Sequence, residues 1–136
     1  MKHILVAYEE RPVARHVLER TAELAKAFGA KVTATSIAPV MHAVRAGPYD
    51  PTDPPSRHEQ ELLDARAWLT EHGVTEVEIV TALGEPARGI VDVAKSKDVD
   101  LIVMGAHDGG ALSRIFPGST TDEIVHRTPV DVLIVH

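Results

Sequence analysis

Short aliphatic runs recur along this chain, and between them lie segments whose apolar residues fall at helical spacing. The runs are Ile4–Ala7, Val32–Ile37, Val77–Ala82, Asp100–Met104 and Val130–Val135. Each has the length of a strand and is too short for a helix, and β-branched residues dominate them. Alternation of apolar with polar residues is weak within the runs, as in strands covered on both faces.

The segments between the runs carry helix signals. Val13, Val17, Leu18, Thr21, Leu24, Ala25 and Phe28 share one helical face, with Pro12 suited to the first turn and Gly29 to the position past the end. Ser56 with Glu59 forms a capping-box pattern opening a second helix, which runs to about His72 before Gly73. Gly84, Glu85 and Pro86 lead into a third helix carrying Ile90, Val91 and Ala94. A last helix, Thr120 to Arg127, is stopped by Thr128-Pro129. Residues 39–55 hold Pro39, Pro48, Pro51, Pro54, Pro55 and Gly47, which neither helix nor sheet accommodates, so they form a long connection.

Strands alternating with helices imply an α/β fold: a doubly wound five-stranded parallel sheet with helices on both faces. At 136 residues the chain suits one domain, 1–136. In such sheets ligands bind beyond the carboxyl ends of the strands, where strand order reverses. If the first and fourth strands are neighbours, Tyr8-Glu9 and Met104-Gly105 meet at that crevice.

Charge and composition exclude several classes. A net charge of −6, with basic residues scattered, disfavours nucleic-acid and anionic-membrane partners. There is no cysteine, hence no disulfide or thiol chemistry, which fits a cytoplasmic location. No apolar run approaches the roughly 20 residues of a membrane span, and Glu9 and Glu10 interrupt the first run too early for a signal peptide.

Gly105 to Ser119 is the stretch richest in chemistry. It joins a strand to a helix and contains Gly105, Gly109, Gly110, Gly118 and Ser119. Free amides at a helix start, together with the positive end of the helix dipole, can hold a phosphate, and the Ser119 hydroxyl can add a bond. Ser119 with Asp122 is equally a plain helix cap that needs no ligand.

These residues resemble the universal stress protein family. Its nucleotide-binding members carry a glycine, two residues, a glycine, nine residues, then glycine with serine or threonine. Gly105 and Gly118-Ser119 keep the outer places of this motif, and Asp108 stands at the second glycine. Ser113-Arg114, Thr128-Pro129-Val130 and Gly84-Glu85-Pro86 are similar to the family as well, and the likeness covers essentially the whole chain. The resemblance implies the adenine nucleotide alpha hydrolase-like fold and a stress or signalling role. It also implies a nucleotide site built from Ala7, Glu9, Ile37, Met104, Gly105, His107, Asp108, Gly118, Ser119 and Thr120. Within that site Ile37 would lie against adenine through its backbone, Met104 and Gly105 at base and ribose, and Gly118, Ser119 and Thr120 at the phosphates. Glu9 takes the place of a family aspartate near the sugar, followed here by Glu10 and Arg11 rather than small residues. ATP, AMP or cAMP would be the ligand.

Asp108 sets the limit of that implication. A carboxylate about 4 Å from a phosphate charge costs on the order of 1 kcal/mol in water-like surroundings and several where the dielectric is near 20. One helix N-terminus returns only about 0.3–1 kcal/mol, rising to about 2 when partly buried. Four outcomes stay open: Arg114 or Arg11 offsets the carboxylate, Asp108 holds a bridging Mg²⁺, it turns outward and Gly109 and Gly110 supply amides, or the protein is a structural or interaction dimer that binds no nucleotide.

Other chemistry finds less support. The acidic pair Glu9-Glu10 would suit the Mg²⁺ site of a receiver domain, but no aspartate ends the third strand and no lysine lies in the fifth. The eight histidines form no ligand pair at helical spacing, and no serine sits in a Gly-x-Ser-x-Gly elbow. No catalytic constellation is evident, so any ATP hydrolysis would be slow. Trp68 reads as a packing residue. The apolar run Val130–Val135, placed at a sheet edge, needs covering or pairing, and the resemblance implies a homodimer through it.

Overall fold

The computed structural model describes residues 1–9, 12–36, 55–81, 85–106 and 120–136, the side chains of 55–58 and 120 excepted. Five strands form one parallel sheet: β1 (His3–Tyr8), β2 (Lys31–Ser36), β3 (Val77–Val80), β4 (Leu101–Gly105) and β5 (Asp131–Val135). Their spatial order is β3-β2-β1-β4-β5. The helices are α1 (Ala14–Phe28), α2 (Pro55–Glu71), α3 (Pro86–Ser96) and α4 (Thr120–Arg127).

Alternation of side chains along the strands divides the core into two layers. On one face Ile4, Val6 and Tyr8, with Val32, Ala34, Leu101 and Val103, pack against Val17 and Leu18 of α1 and Leu62 and Leu69 of α2. On the other, Leu5, Ala7, Ile102 and Met104 pack against Ile90 and Val91 of α3 and Ile124 of α4. All six residues of β1 are buried, as a central strand between two helix layers requires. Each fully buried Leu, Ile or Val contributes about 1.5–3 kcal/mol. The two layers are therefore what holds the sheet between its helices.

The helix ends agree with the sequence in part. Gly29 is left-handed at φ 62° and its N–H reaches the Ala25 carbonyl, so the expected glycine stop closes α1. Pro86 occupies the first turn of α3. Pro12 instead precedes α1, whose cap residue Val13 makes no side-chain capping bond. α2 starts at Pro55, so Ser56 lies inside the helix rather than capping it. Proline's fixed φ and missing amide suit a helix start, and they set this boundary one residue earlier. Asp98, in the turn after α3, takes a left-handed φ of 52°, a conformation aspartate tolerates better than most residues.

The strand bounds differ slightly from the aliphatic runs. β3 ends at Val80 and β5 begins at Asp131. Ile37 and Ala82, expected at the ends of β2 and β3, lie outside the described residues.

Candidate functional site

β1 lies between β2 and β4, and the strand order reverses there: β2 and β3 extend to one side of it, β4 and β5 to the other. The carboxyl ends of β1 and β4 therefore open the crevice where doubly wound sheets take ligands. Ala7 and Met104 are register partners near those ends, and each is only 1% exposed. They belong to the layer under α3 and α4. Glu9 follows the end of β1 and is half-buried. Ala7 and Glu9 both line the small cleft at this end of the sheet, while Met104 is packed in the core beside it.

Gly105 ends β4 on the opposite face, toward α1. A Cβ built there would lie 2.7 Å from Val13 Cγ1 and 3.3 Å from Val17 Cγ2. Helix packing alone therefore requires glycine at 105. Ala7, Tyr8, Glu9, Val13, Ala14, Val17 and Gly105 line one small cleft nearby.

Of the residues expected to form the site, the structure brings together Ala7, Glu9, Met104 and Gly105. Thr120 opens α4, and its side chain is outside the description. Ile37, His107, Asp108, Gly118 and Ser119 lie outside the described residues, as do Glu10 and Arg11.

One feature near the crevice carried no sequence signal. Thr35 of β2 pairs in register with Ala7 on one side and Val80 on the other. It is fully buried, and its hydroxyl has no hydrogen-bond partner among the described residues. An unmet buried hydroxyl costs about 1–3 kcal/mol. Sequence alone reads it as one more β-branched strand residue.

Among the described residues no group of three or more His, Cys, Asp or Glu side chains is placed to hold a metal. His16 meets the His136 carbonyl at 3.3 Å and His72 the Trp68 carbonyl at 2.7 Å, so both are engaged with backbone. Trp68 stacks on His72 with ring centroids 3.7 Å apart and packs against the core, as a structural residue does. No helix is long and apolar enough to cross a membrane among the described residues.

The sequence pattern of the Universal stress protein family matches residues 1–136. A universal stress protein of Thermus aquaticus is 31% identical over 143 residues, covering 98% of each chain. One from Synechocystis sp. is 37% identical over 84 residues, which span 57% of this chain and 54% of that one. Among solved structures, a universal stress protein in complex with cAMP superposes with a TM-score of 0.76 at 23% identity, covering 99% of this chain and 96% of that one. One from Archaeoglobus fulgidus in complex with dAMP gives 0.75 at 22% identity, covering 100% and 98%. The family pattern spans all 136 residues and a relative is 31% identical over 98% of each chain, so the chain belongs to the universal stress protein family.

Proposed function

We propose that this protein is a stress or signalling protein that binds an adenine nucleotide in the crevice between β1 and β4. The observation that carries the reading is the meeting of the β1 and β4 carboxyl ends where the strand order reverses, with Ala7, Glu9 and Gly105 lining a cleft there. The cAMP and dAMP held by two proteins of the same fold support the ligand class. Gly118, Ser119 and Thr120 would face the phosphates through backbone amides at the start of α4, with Ile37 at the base and His107 and Asp108 at the loop. Asp108 would either hold a bridging Mg²⁺ or turn away. The protein then acts by nucleotide-gated contacts rather than by turnover, and any ATP hydrolysis is slow.

The test is the small-molecule content of the purified protein after denaturation, followed by titration with ATP, AMP and cAMP. Co-purified adenine nucleotide, or saturable binding of one of the three, is expected. No nucleotide and no thermal shift with ATP and Mg²⁺ would favour a non-nucleotide interaction protein of the same family.

A homodimer through β5 is the second part of the proposal. β5 pairs with β4 alone, so its outer edge meets no strand among the described residues. Val132, Leu133 and Ile134 are half-buried there, and an apolar edge of this kind calls for a partner. Light scattering at micromolar concentration should give twice the 14.7 kDa chain mass; a monomer would end the idea. A cytoplasmic location fits the lack of cysteine.

A further inference from the structure

At the amino end of the sheet, away from the crevice, a polar chain crosses the central strands. The His3 side chain is buried, with the residue 3% exposed. Its Nδ1 lies 3.0 Å from the Lys97 carbonyl oxygen, and its Nε2 lies 2.7 Å from Thr33 Oγ1. Thr33 Oγ1 in turn lies 2.9 Å from Glu78 Oε1, and Glu78 meets Lys97 Nζ at 3.4 Å. The chain links β1, β2, β3 and the turn before β4.

The protons on this chain can be counted. A carbonyl only accepts, so Nδ1 carries a hydrogen and donates to Lys97. An ionised carboxylate only accepts, so Glu78 requires the Thr33 hydroxyl proton. The Thr33 hydroxyl has one hydrogen to give. With a neutral imidazole, Nε2 is also an acceptor, and two acceptors compete for that one hydrogen. With an imidazolium, Nε2 donates to Thr33 and Thr33 donates to Glu78, so every contact becomes a hydrogen bond.

We propose that His3, Thr33 and Glu78 form a proton-operated clasp. When His3 takes up one proton from solvent, the Thr33 hydroxyl turns from the imidazole to the Glu78 carboxylate and ties edge strand β3 to β1 through β2. When the proton leaves, the hydroxyl turns back to Nε2, and Glu78 keeps its pairing with Lys97.

The surrounding charges set where this happens. Burial holds the imidazole below its ordinary value. The Lys97 carbonyl bond opposes that, Lys31 of β2 adds to it, and Glu78 of β3 and Asp100 of the turn oppose it. The hydroxyl bond from Thr33 and the Lys97 ammonium hold Glu78 below the usual carboxylate range. The clasp requires Glu78 to be ionised when His3 takes up its proton, and Lys97 Nζ at 3.4 Å favours that charge while the Thr33 hydroxyl faces the imidazole. Charging a buried imidazole also lowers global stability, since the unfolded chain takes the proton more readily. Acid therefore tightens the contact with β3 while weakening the fold as a whole.

Nitrogen–proton correlation spectra of the His3 ring, recorded on the full chain from neutral to acid pH beside the Glu78 side-chain carboxyl carbon, test the clasp. The neutral ring is expected to carry its hydrogen on Nδ1, with Nε2 at a shift typical of a hydrogen-bonded acceptor. The Glu78 carboxyl carbon is expected to move at the same pH at which Nε2 gains its hydrogen. Thr33→Val should abolish the hydrogen-bond shift at Nε2 and uncouple the two groups, while Thr33→Ser should restore both. A neutral ring protonated on Nε2, a Glu78 carbon that ignores the His3 step, or a Thr33→Val protein behaving as wild type would each overturn the proposal. The wild-type spectra decide the first two outcomes without any substitution.

Discussion

Gly105 and Val13 touch so closely that no side chain fits between them: a Cβ at 105 would stand 2.7 Å from Val13 Cγ1. Ordinary carbon–carbon contact is about 3.5–4.0 Å, and a valine χ1 in a packed site yields little. Gly105→Ala should therefore destabilise the protein by about 1–3 kcal/mol through overpacking. Adding Val13→Ala should recover part of that loss, so the two changes couple in a double-mutant cycle. Urea denaturation of the four proteins measures it; additive effects would mean that the 105 backbone moves away from α1 instead.

Thr35→Val removes a buried hydroxyl that has no partner among the described residues and keeps the shape of the side chain. Stability should rise by about 1 kcal/mol, seen as a higher denaturation midpoint. A fall would show that the hydroxyl is bonded in solution, to water or to a residue beyond those described.

Asp100 links the two central strands from outside. Its Oδ2 accepts from the Lys2 amide at 2.8 Å and the His3 amide at 3.0 Å. These two bonds hold its carboxyl below the usual value of 3.8. For a depressed carboxylate the stabilisation is fully present above the unfolded pKa and is lost as pH falls through the folded one. Asp100→Asn should therefore be less stable than wild type at neutral pH, and the gap should close below about pH 3.8. Denaturation midpoints at pH 7 and in acid compare the two; a gap that stays constant would show that charge is not the cause.

Asp108→Gly restores the glycine of the family motif. If the carboxylate opposes the phosphates, ATP affinity should rise at least about tenfold, about 1.4 kcal/mol. Calorimetric titration reads this directly. No change, or a loss, would mean that Asp108 lies outside the site or holds a metal.

The fold was legible because each element carries its own local signature. Short aliphatic runs rich in β-branched residues marked the strands, and Gly29 and Pro86 marked helix boundaries that the structure keeps. The edge position of β5 followed from topology rules, since a doubly wound order leaves the last strand outermost. Side-chain roles that depend on distant partners were less legible. His3 meets residues 30 and 94 positions away, and no spacing along the chain announces them. Gly105 was readable as a motif glycine, yet its contact with Val13 spans two elements and appears only when β4 lies against α1. At the candidate site Ala7, Glu9, Met104 and Gly105 gather at one sheet end as the strand order required. Gly118 and Ser119, proposed to face a phosphate, lie outside the described residues.

The central place of β1 also sets a timetable. Its pairing with β2 joins Ile4 to Val32, whereas its pairing with β4 joins Ile4 to Leu101. As the chain emerges from the ribosome, one flank of β1 can close after about a quarter of synthesis, and the other must wait for the last third. During that interval the amino-terminal half carries a bare aliphatic strand flank, the kind of surface that invites chaperone capture or mispairing. Delivery of β4 ends that exposure, and the same closure creates the crevice where the nucleotide is proposed to bind.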